Sequence, residues 1–283
     1  MHTNLKNFAI AAGLGFLAVW GPSARADVLA NIPSTGAASL FQSGVNNSLG
    51  DPGIFVGTDS TPSVKDGLLA FNVSSIPSGA TITGATLDLF IGTVAGGGSG
   101  SVINFGPTRT ISIYDESQVW GASTNAIGAT TFAGHGSGSA ANTGDATWND
   151  AAHNSNSLLA TLWSTGDPAN YVAGTSVALA TTSGIEGTTG AEVQWTSAAL
   201  ATEVQGWVNN PSSNNGLAVI NANTTTAQTF LAFWSASGAA NAGNGLAPDL
   251  AVTYVVPEPM SFSLMIFGGS MLLCRRKSRR LAK

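Results

Sequence analysis

The chain has 283 residues, of which 43% are hydrophobic, 9% are charged and 35 are glycine. This length fits one large all-β domain or two small ones, with a polar surface built on Ser, Thr, Asn and Gly rather than on ion pairs. Residues 27–256 hold fourteen acidic and two basic side chains, a net charge of −12, which disfavours nucleic acid as a partner. The sole cysteine, Cys274, lies near the C-terminus, so residues 27–256 have no disulfide or thiolate chemistry.

The first 26 residues predict a secretory signal peptide. Lys6 supplies a positively charged start, residues 8–20 are apolar, and Ala24-Arg25-Ala26 is an A-x-A cleavage site. Small side chains are needed at Ala24 and Ala26 because the peptidase pockets at these two positions are shallow. A buried N-terminal helix is the alternative, but the three parts in this order favour cleavage by signal peptidase before Asp27.

Residues 27–256 carry apolar side chains at a period of two, which predicts β-strands. The alternation is seen at 68–73, 86–91, 111–113, 193–195, 217–219, 230–234 and 250–254. Gly, Pro, Asn and Ser separate these runs, so we expect an all-β, jelly-roll-like β-sandwich. The Gly-rich stretches at 96–101 and 134–138 are too short to separate domains. We therefore expect one domain over 27–256, with a division near residue 140 as the alternative.

One segment, Ser197 to Val208, has helical periodicity instead. Leu200, Val204 and Trp207 follow one another at i, i+4 and i+7, which predicts a single short amphipathic helix. Ser197 is expected to be its N-cap, because a serine hydroxyl can accept a hydrogen bond from an amide of the first turn.

Several motifs of this span resemble the DNRLRE-type modules of bacterial surface proteins. The matching stretches are residues 68–80 (LLAFNVSSIPSGA), 82 with 85–87, 146–150 (ATWND), 204–207 with 215–217, and 248–254 (PDLAVTY). The resemblance implies a jelly-roll sandwich similar to carbohydrate-binding modules. Where these modules usually have Arg, this chain has Ala70 and Ala247, so no salt bridge and no binding residue is transferred.

Groups suited to catalysis are few in this sequence. His135 lies in a Gly-rich loop, His153 lies among Asn and Ser, and no G-x-S-x-G nucleophile elbow occurs. Asp115 and Glu116 are the closest paired carboxylates, but neighbouring residues of a strand point to opposite faces. We therefore expect this pair to end a strand in solvent and the protein to be non-enzymatic, with a glycoside-active enzyme as the remote alternative.

Oxygen-bearing side chains between residues 145 and 154 are the only metal candidates. Asp145, Asn149, Asp150 and Asn154 offer the hard ligands that Ca²⁺ prefers. Their spacing matches no EF-hand, and a turn in which Asn and Asp cap their own backbone is the favoured alternative. No other cofactor is expected.

The six tryptophans of this span divide into two groups. Trp207 and Trp234 fit the helical stripe and the strand alternation, so we expect them in the core. Trp120 and Trp163 adjoin Gly or Ser, so we expect their rings to be exposed and available for stacking on sugars.

The last 27 residues resemble the PEP-CTERM sorting signal. Pro257-Glu258-Pro259 is followed by an uncharged stretch, 261–273, that contains Gly268-Gly269, and then by a basic run at 275–280. Thirteen helical residues span roughly 20 Å, short of the roughly 30 Å hydrocarbon core. We therefore expect a marginal transmembrane segment with its basic end in the cytoplasm. A permanent single-span anchor is the alternative.

The resemblance implies processing by an exosortase, a membrane protease-transpeptidase of Gram-negative bacteria that make exopolysaccharide. We therefore expect an inner-membrane-anchored precursor that becomes a structural or adhesive protein of the cell surface or biofilm matrix. Exopolysaccharide is its candidate partner. A carbohydrate-binding module is the alternative function.

Overall fold

The structure, a computed structural model, describes residues 27–59, 63–94, 109–125, 128, 130–132, 135–164, 177–186, 188–222, 225 and 228–257. The strands in these ranges are β1 (Val28–Phe41), β2 (Asn47–Leu49), β3 (Gly53–Thr58), β4 (Val64–Phe71), β5 (Thr81–Val94), β6 (Arg109–Asp115), β7 (Ser139–Ala140), β8 (Asp150–Ala152), β9 (Thr161–Leu162), β10 (Ala180–Ile185), β11 (Glu192–Thr196), β12 (Leu217–Asn221), β13 (Leu231–Trp234) and β14 (Asp249–Val255). The helices are α1 (Ala198–Asn209) and α2 (Ala236–Ala242), with short 3-10 helices at Val73–Ser75, Ser157–Leu159 and Pro211–Ser213. The predicted signal peptide and the predicted sorting signal after Pro257 lie outside the described residues.

Twelve of these strands form one hydrogen-bonded sheet that folds into two facing layers; eleven follow one continuous path, and β11 pairs with β5 beside it. The front sheet joins β11, β5, β14 and the first half of β1, whereas the back sheet joins β10, β6, β12, β4, the second half of β1, β2 and β7. Strand β1 belongs to both sheets, because residues 28–33 pair with β14 and residues 34–41 pair with β4. Strands β13 and β3 connect the far end of β5 to β4.

The main core lies between the two sheets. In β5, Leu87, Leu89 and Ile91 are fully buried, and the residues between them turn to the other face. The same alternation holds in β14, where Leu250 and Val252 are buried. The prediction of an all-β sandwich is confirmed, since strands dominate and the helices are short.

The back sheet is buried on both faces. Leu68, Ala218 and Ile220 point away from the main core and form a second cluster with Trp148 and Trp163. These tryptophans belong to a covering layer, formed by residues 117–125 and 141–164, that lies over the outer face of the back sheet. Strands β4 and β12 therefore have almost no exposed residue.

Helix α1 begins and ends close to the predicted bounds. The Leu200 amide donates to the Ser197 hydroxyl at 2.9 Å, which confirms the predicted N-cap. The expectation of a single helix is wrong, because α2 follows β13 between the cap Ser235 and the left-handed Gly243. No helix among the described residues is long and apolar enough to cross a membrane.

Candidate functional site

Two carboxylates, Asp115 and Glu203, meet where the end of β6 faces α1. Asp115 is the last residue of β6, and Glu203 lies in α1 four residues before Trp207. Residues four apart share a helix face, so α1 presents Glu203 and the indole of Trp207 together. The pKa of Asp115 is raised to about 6, and burial is the largest cause. Glu203 also raises this pKa, whereas the Trp207 indole lowers it. Asp115 therefore binds a proton more readily than a solvent-exposed aspartate would.

A third carboxylate, Glu116, lies on the opposite face of the same strand end. Its side chain is only 3% exposed, and its Oε1 accepts a hydrogen bond from the Gln118 amide at 3.2 Å. Burial raises the pKa of Glu116 to about 7; the Gln118 and Ser117 amides oppose the shift, and the charge of Asp115 adds to it. The expectation that Asp115 and Glu116 end a strand in solvent is wrong for Glu116, because this residue is buried.

A pocket of about 390 Å³ lies beside this cluster, at the end of the sandwich where α1, the 3-10 helices at 73–75 and 211–213 and their loops meet. Its buried wall is apolar, and its rim carries exposed amide and hydroxyl groups. Trp207 links the two features, since it lines the pocket and also neighbours Asp115. The lining residues are Asn72, Val73, Ser74, Ile76, Pro77, Ser78, Trp207, Val208, Pro211 and Asn214.

The carboxylate geometry does not match glycoside hydrolysis. The two acids of a retaining enzyme are about 5 Å apart and those of an inverting enzyme are farther apart. Asp115 and Glu203 are close enough for Glu203 to raise the pKa of Asp115, and consecutive residues at the end of a strand, such as Asp115 and Glu116, point to opposite faces. None of the three lines the pocket. The cluster is therefore a proton-sensitive contact between β6 and α1 rather than an acid–base pair that faces a ligand.

The two tryptophans expected at the surface belong to the covering layer. Trp163 is 5% exposed, and its Nε1 donates to the Thr147 carbonyl at 2.9 Å. Trp120 is half-buried against the same cluster, and its Nε1 donates to the Asn215 carbonyl at 2.6 Å. The expected exposure is wrong for Trp163 because the layer packs its ring against the back sheet. Trp207 and Trp234, expected in the core, are 0% and 7% exposed, as predicted.

The calcium candidates bind their own chain. The Asp145 carboxylate is fully buried and accepts hydrogen bonds from the Thr124 amide and hydroxyl and from the Asn142 amide, at 2.8 to 3.0 Å. Asp150 Oδ2 lies 2.8 Å from Nδ1 of His153. The remaining two candidates are apart from these carboxylates: Asn149 is exposed, and Asn154 caps a turn by accepting from the Asn156 amide.

These contacts are those of a hydrogen-bonded turn, which was the favoured alternative to a calcium site. Among the residues that the structure describes, no group of three or more His, Cys, Asp or Glu side chains is placed to hold a metal ion. Asp145 also joins two separate loops of the covering layer, because it accepts hydrogen bonds from both Thr124 and Asn142.

The cluster of Asp115 and Glu203 could not be found by sequence pattern. The two residues are far apart along the chain, and only the packing of α1 against the strands brings them together. The one local signal was the helical stripe that also contains Trp207. Comparison with known proteins adds no assignment, since no family model and no curated protein matches the chain.

Proposed function

We propose that this chain is an exported, non-enzymatic protein of the cell surface or biofilm matrix, sorted by an exosortase-type system. The observation that carries the proposal is the order of three elements at the C-terminus: Pro257-Glu258-Pro259, an uncharged stretch at 261–273 and a basic run. The signal peptide ending at Ala24-Arg25-Ala26 supports the same route. In this proposal, signal peptidase and an exosortase are the two processing partners.

The fold is compatible with this route. A domain without cysteine must be held together by its core, and the sandwich has three separate hydrophobic clusters among the described residues. In our proposal the sandwich is of the jelly-roll type found in DNRLRE-like modules, and its role is structural or adhesive. An inner-membrane-anchored precursor then releases an acidic, compact domain toward the exopolysaccharide.

The experiment compares the termini of the protein in the inner membrane, at the surface and in the medium. We expect intact-mass measurement of surface protein to show a start at Asp27 and the loss of about 25 C-terminal residues in the wild type. Glu258→Ala and deletion of 275–283 should leave the protein in the inner membrane. Glu186→Ala, which removes one exposed acid from the sandwich, is the matched control and should be processed normally. If surface protein still contains Lys283, the sorting proposal is wrong and the C-terminal segment is a permanent anchor.

A carbohydrate-binding module is the second candidate, and the pocket beside α1 is the observation that favours it. Apolar walls with a rim of Asn and Ser suit a sugar ring, which has an apolar face and an edge of hydroxyls. Ser78→Trp should block this pocket at its exposed rim and abolish retardation of the domain in gels that contain the exopolysaccharide. Ser155→Trp, on an exposed loop elsewhere, is the control. Equal retardation of both variants would remove the pocket from consideration.

A further inference from the structure

The covering layer is apolar on its outer side as well as on the side that packs against the back sheet. Trp163 directly follows Leu162, and successive residues of an extended chain point to opposite faces. Trp163 packs inward, whereas Leu162 is 64% exposed. Leu158 and Leu159, in the 3-10 helix just before β9, are 90% and 68% exposed. The layer therefore presents three exposed leucines close together in the chain.

Val119 extends this surface from a second segment of the layer. Its neighbour Gln118 donates from Nε2 to the Leu162 carbonyl at 2.9 Å and accepts at Oε1 from the Ser164 amide at 2.7 Å. These two bonds hold the Val119 segment beside β9, and Val119 is itself exposed. Single exposed apolar side chains are ordinary, whereas a contiguous group marks an interaction site. The aliphatic patch is the set of Val119, Leu158, Leu159 and Leu162.

The two segments that carry the aliphatic patch have no charged side chain. Residues 117–120 and 154–164 contain no Asp, Glu, Lys or Arg. Two acids adjoin these segments in the described part of the chain, and both are buried: Glu116, and Asp150, which pairs with Leu162 across β8 and β9. Because the domain is otherwise strongly acidic, the aliphatic patch is a place where a second acidic molecule can approach without bringing carboxylates together.

The contact available at the aliphatic patch is between side chains rather than between strands. An added strand would need the backbone groups on the free side of β9. The Leu162 carbonyl and the Ser164 amide on this side are already bonded to the Gln118 side chain. The leucines and Val119 therefore provide the contact.

We propose that two copies of this chain associate through the aliphatic patch, which each copy presents to the other across a two-fold axis. Such an interface needs only one self-complementary surface, and an uncharged aliphatic surface is complementary to itself. A lipid surface suits the patch less well, because no basic side chain accompanies it. The inference goes beyond the proposed function and does not depend on how the chain is sorted.

The size of the aliphatic patch sets the strength of this association. A stable interface buries about 800 Å² on each partner, which is more than four aliphatic side chains supply. The dimer is therefore weak, and it forms where many copies are held close together, as on a cell surface or in a matrix.

Sedimentation equilibrium of residues 27–256, which contain all described strands and helices and the three hydrophobic clusters, measures this association. We expect a monomer–dimer equilibrium at concentrations up to about 1 mM, and tighter association when salt screens the acidic surfaces. Leu158→Asn and Leu162→Asn should each raise Kd about tenfold, because each removes a leucine from the contact. Leu29→Asn is the matched control, since Leu29 is 63% exposed but lies on the front sheet. It should leave Kd unchanged.

A second measurement uses the absence of cysteine from residues 27–256. Leu158→Cys introduces a sole thiol at the proposed interface, so an added oxidant should link two copies much faster than it links two copies of Leu29→Cys. Both positions are exposed, so neither substitution disturbs the core.

Three results would overturn the proposal. The first is a wild-type domain that stays monomeric up to about 1 mM. The second is a Leu29→Asn variant that associates as poorly as Leu158→Asn. The third is monomeric protein that binds phosphatidylcholine vesicles and loses this binding in Leu158→Asn, because the patch would then take a lipid surface instead of a second copy. None of these results bears on the sorting proposal, which rests on the termini.

Discussion

At the scale of single residues, Trp163 shows how burial decides the role of an aromatic side chain. Its sequence neighbours are Leu162 and Ser164, and Leu162 is itself 64% exposed. Exposure was predicted for Trp163 because it adjoins Ser164. In the fold, its ring packs in the cluster of Leu68 and Trp148, and its N–H is bonded to Thr147. A ring with both faces covered contributes to stability and has no face to offer a sugar.

Replacing Trp163 by Ala should therefore destabilise the domain by about 3–5 kcal/mol, the usual cost of removing a large buried ring. Urea unfolding of residues 27–256 measures this loss. Val119→Ala is the matched control in the same layer, because Val119 is 74% exposed and its loss should change stability little. Unchanged stability of Trp163→Ala with lost exopolysaccharide binding would restore the stacking role.

At the scale of elements, the strands with clear alternation were predictable from sequence. Strands β5, β6, β11 and β14 each place apolar residues on one face, and the structure buries these faces. Helix α1 was equally clear, because its stripe and its N-cap act together. In β5, β11, β14 and α1 one face is more deeply buried than the other, and periodicity detects this contrast.

The elements that sequence reasoning missed lack such a contrast. Strand β1 contains Pro33 to Ser39, a run of small and polar residues, and it changes sheets midway. Helix α2 is built from Ala, Ser, Gly and Asn, so no apolar stripe marks it. The contact of Asp115 with Glu203 depends on where α1 packs, which no local pattern specifies. The candidate site was therefore less predictable than the fold.

At the scale of the whole molecule, the charges are distributed unevenly between interior and surface. Lys65 and Arg109 are buried, whereas most acidic side chains of the described part are partly or fully exposed. The charged side chains on the described surface are therefore almost all acidic. Two further acids, Asp88 and Asp249, lie directly opposite each other on β5 and β14 of the front sheet. Burial raises the pKa of each, and repulsion from neighbouring carboxylates adds to both shifts.

These shifts all act in one direction, so they predict how the stability of the whole domain depends on pH. A carboxyl whose pKa is higher in the folded than in the unfolded chain binds its proton more tightly when folded, so stability falls as pH rises between the two values. The interval runs from 3.8 to about 6 for Asp115 and from 4.5 to about 7 for Glu116. The destabilisation is complete above the upper values and absent below the lower ones.

We therefore expect residues 27–256 to melt at a higher temperature near pH 5 than near pH 8, the reverse of an ordinary salt-bridged protein. After allowance for partial exposure of these groups, about 1–2 kcal/mol is involved, or about 3–6 °C in Tm for a domain of this size. Calorimetry at constant ionic strength measures the difference. Glu203→Gln should raise Tm near pH 8 and reduce the pH dependence, because it removes the repulsion on Asp115, whereas Glu186→Gln on the exposed surface should not. A Tm that rises steadily from pH 5 to pH 8 would show that the carboxylates around α1 are stabilised as anions instead.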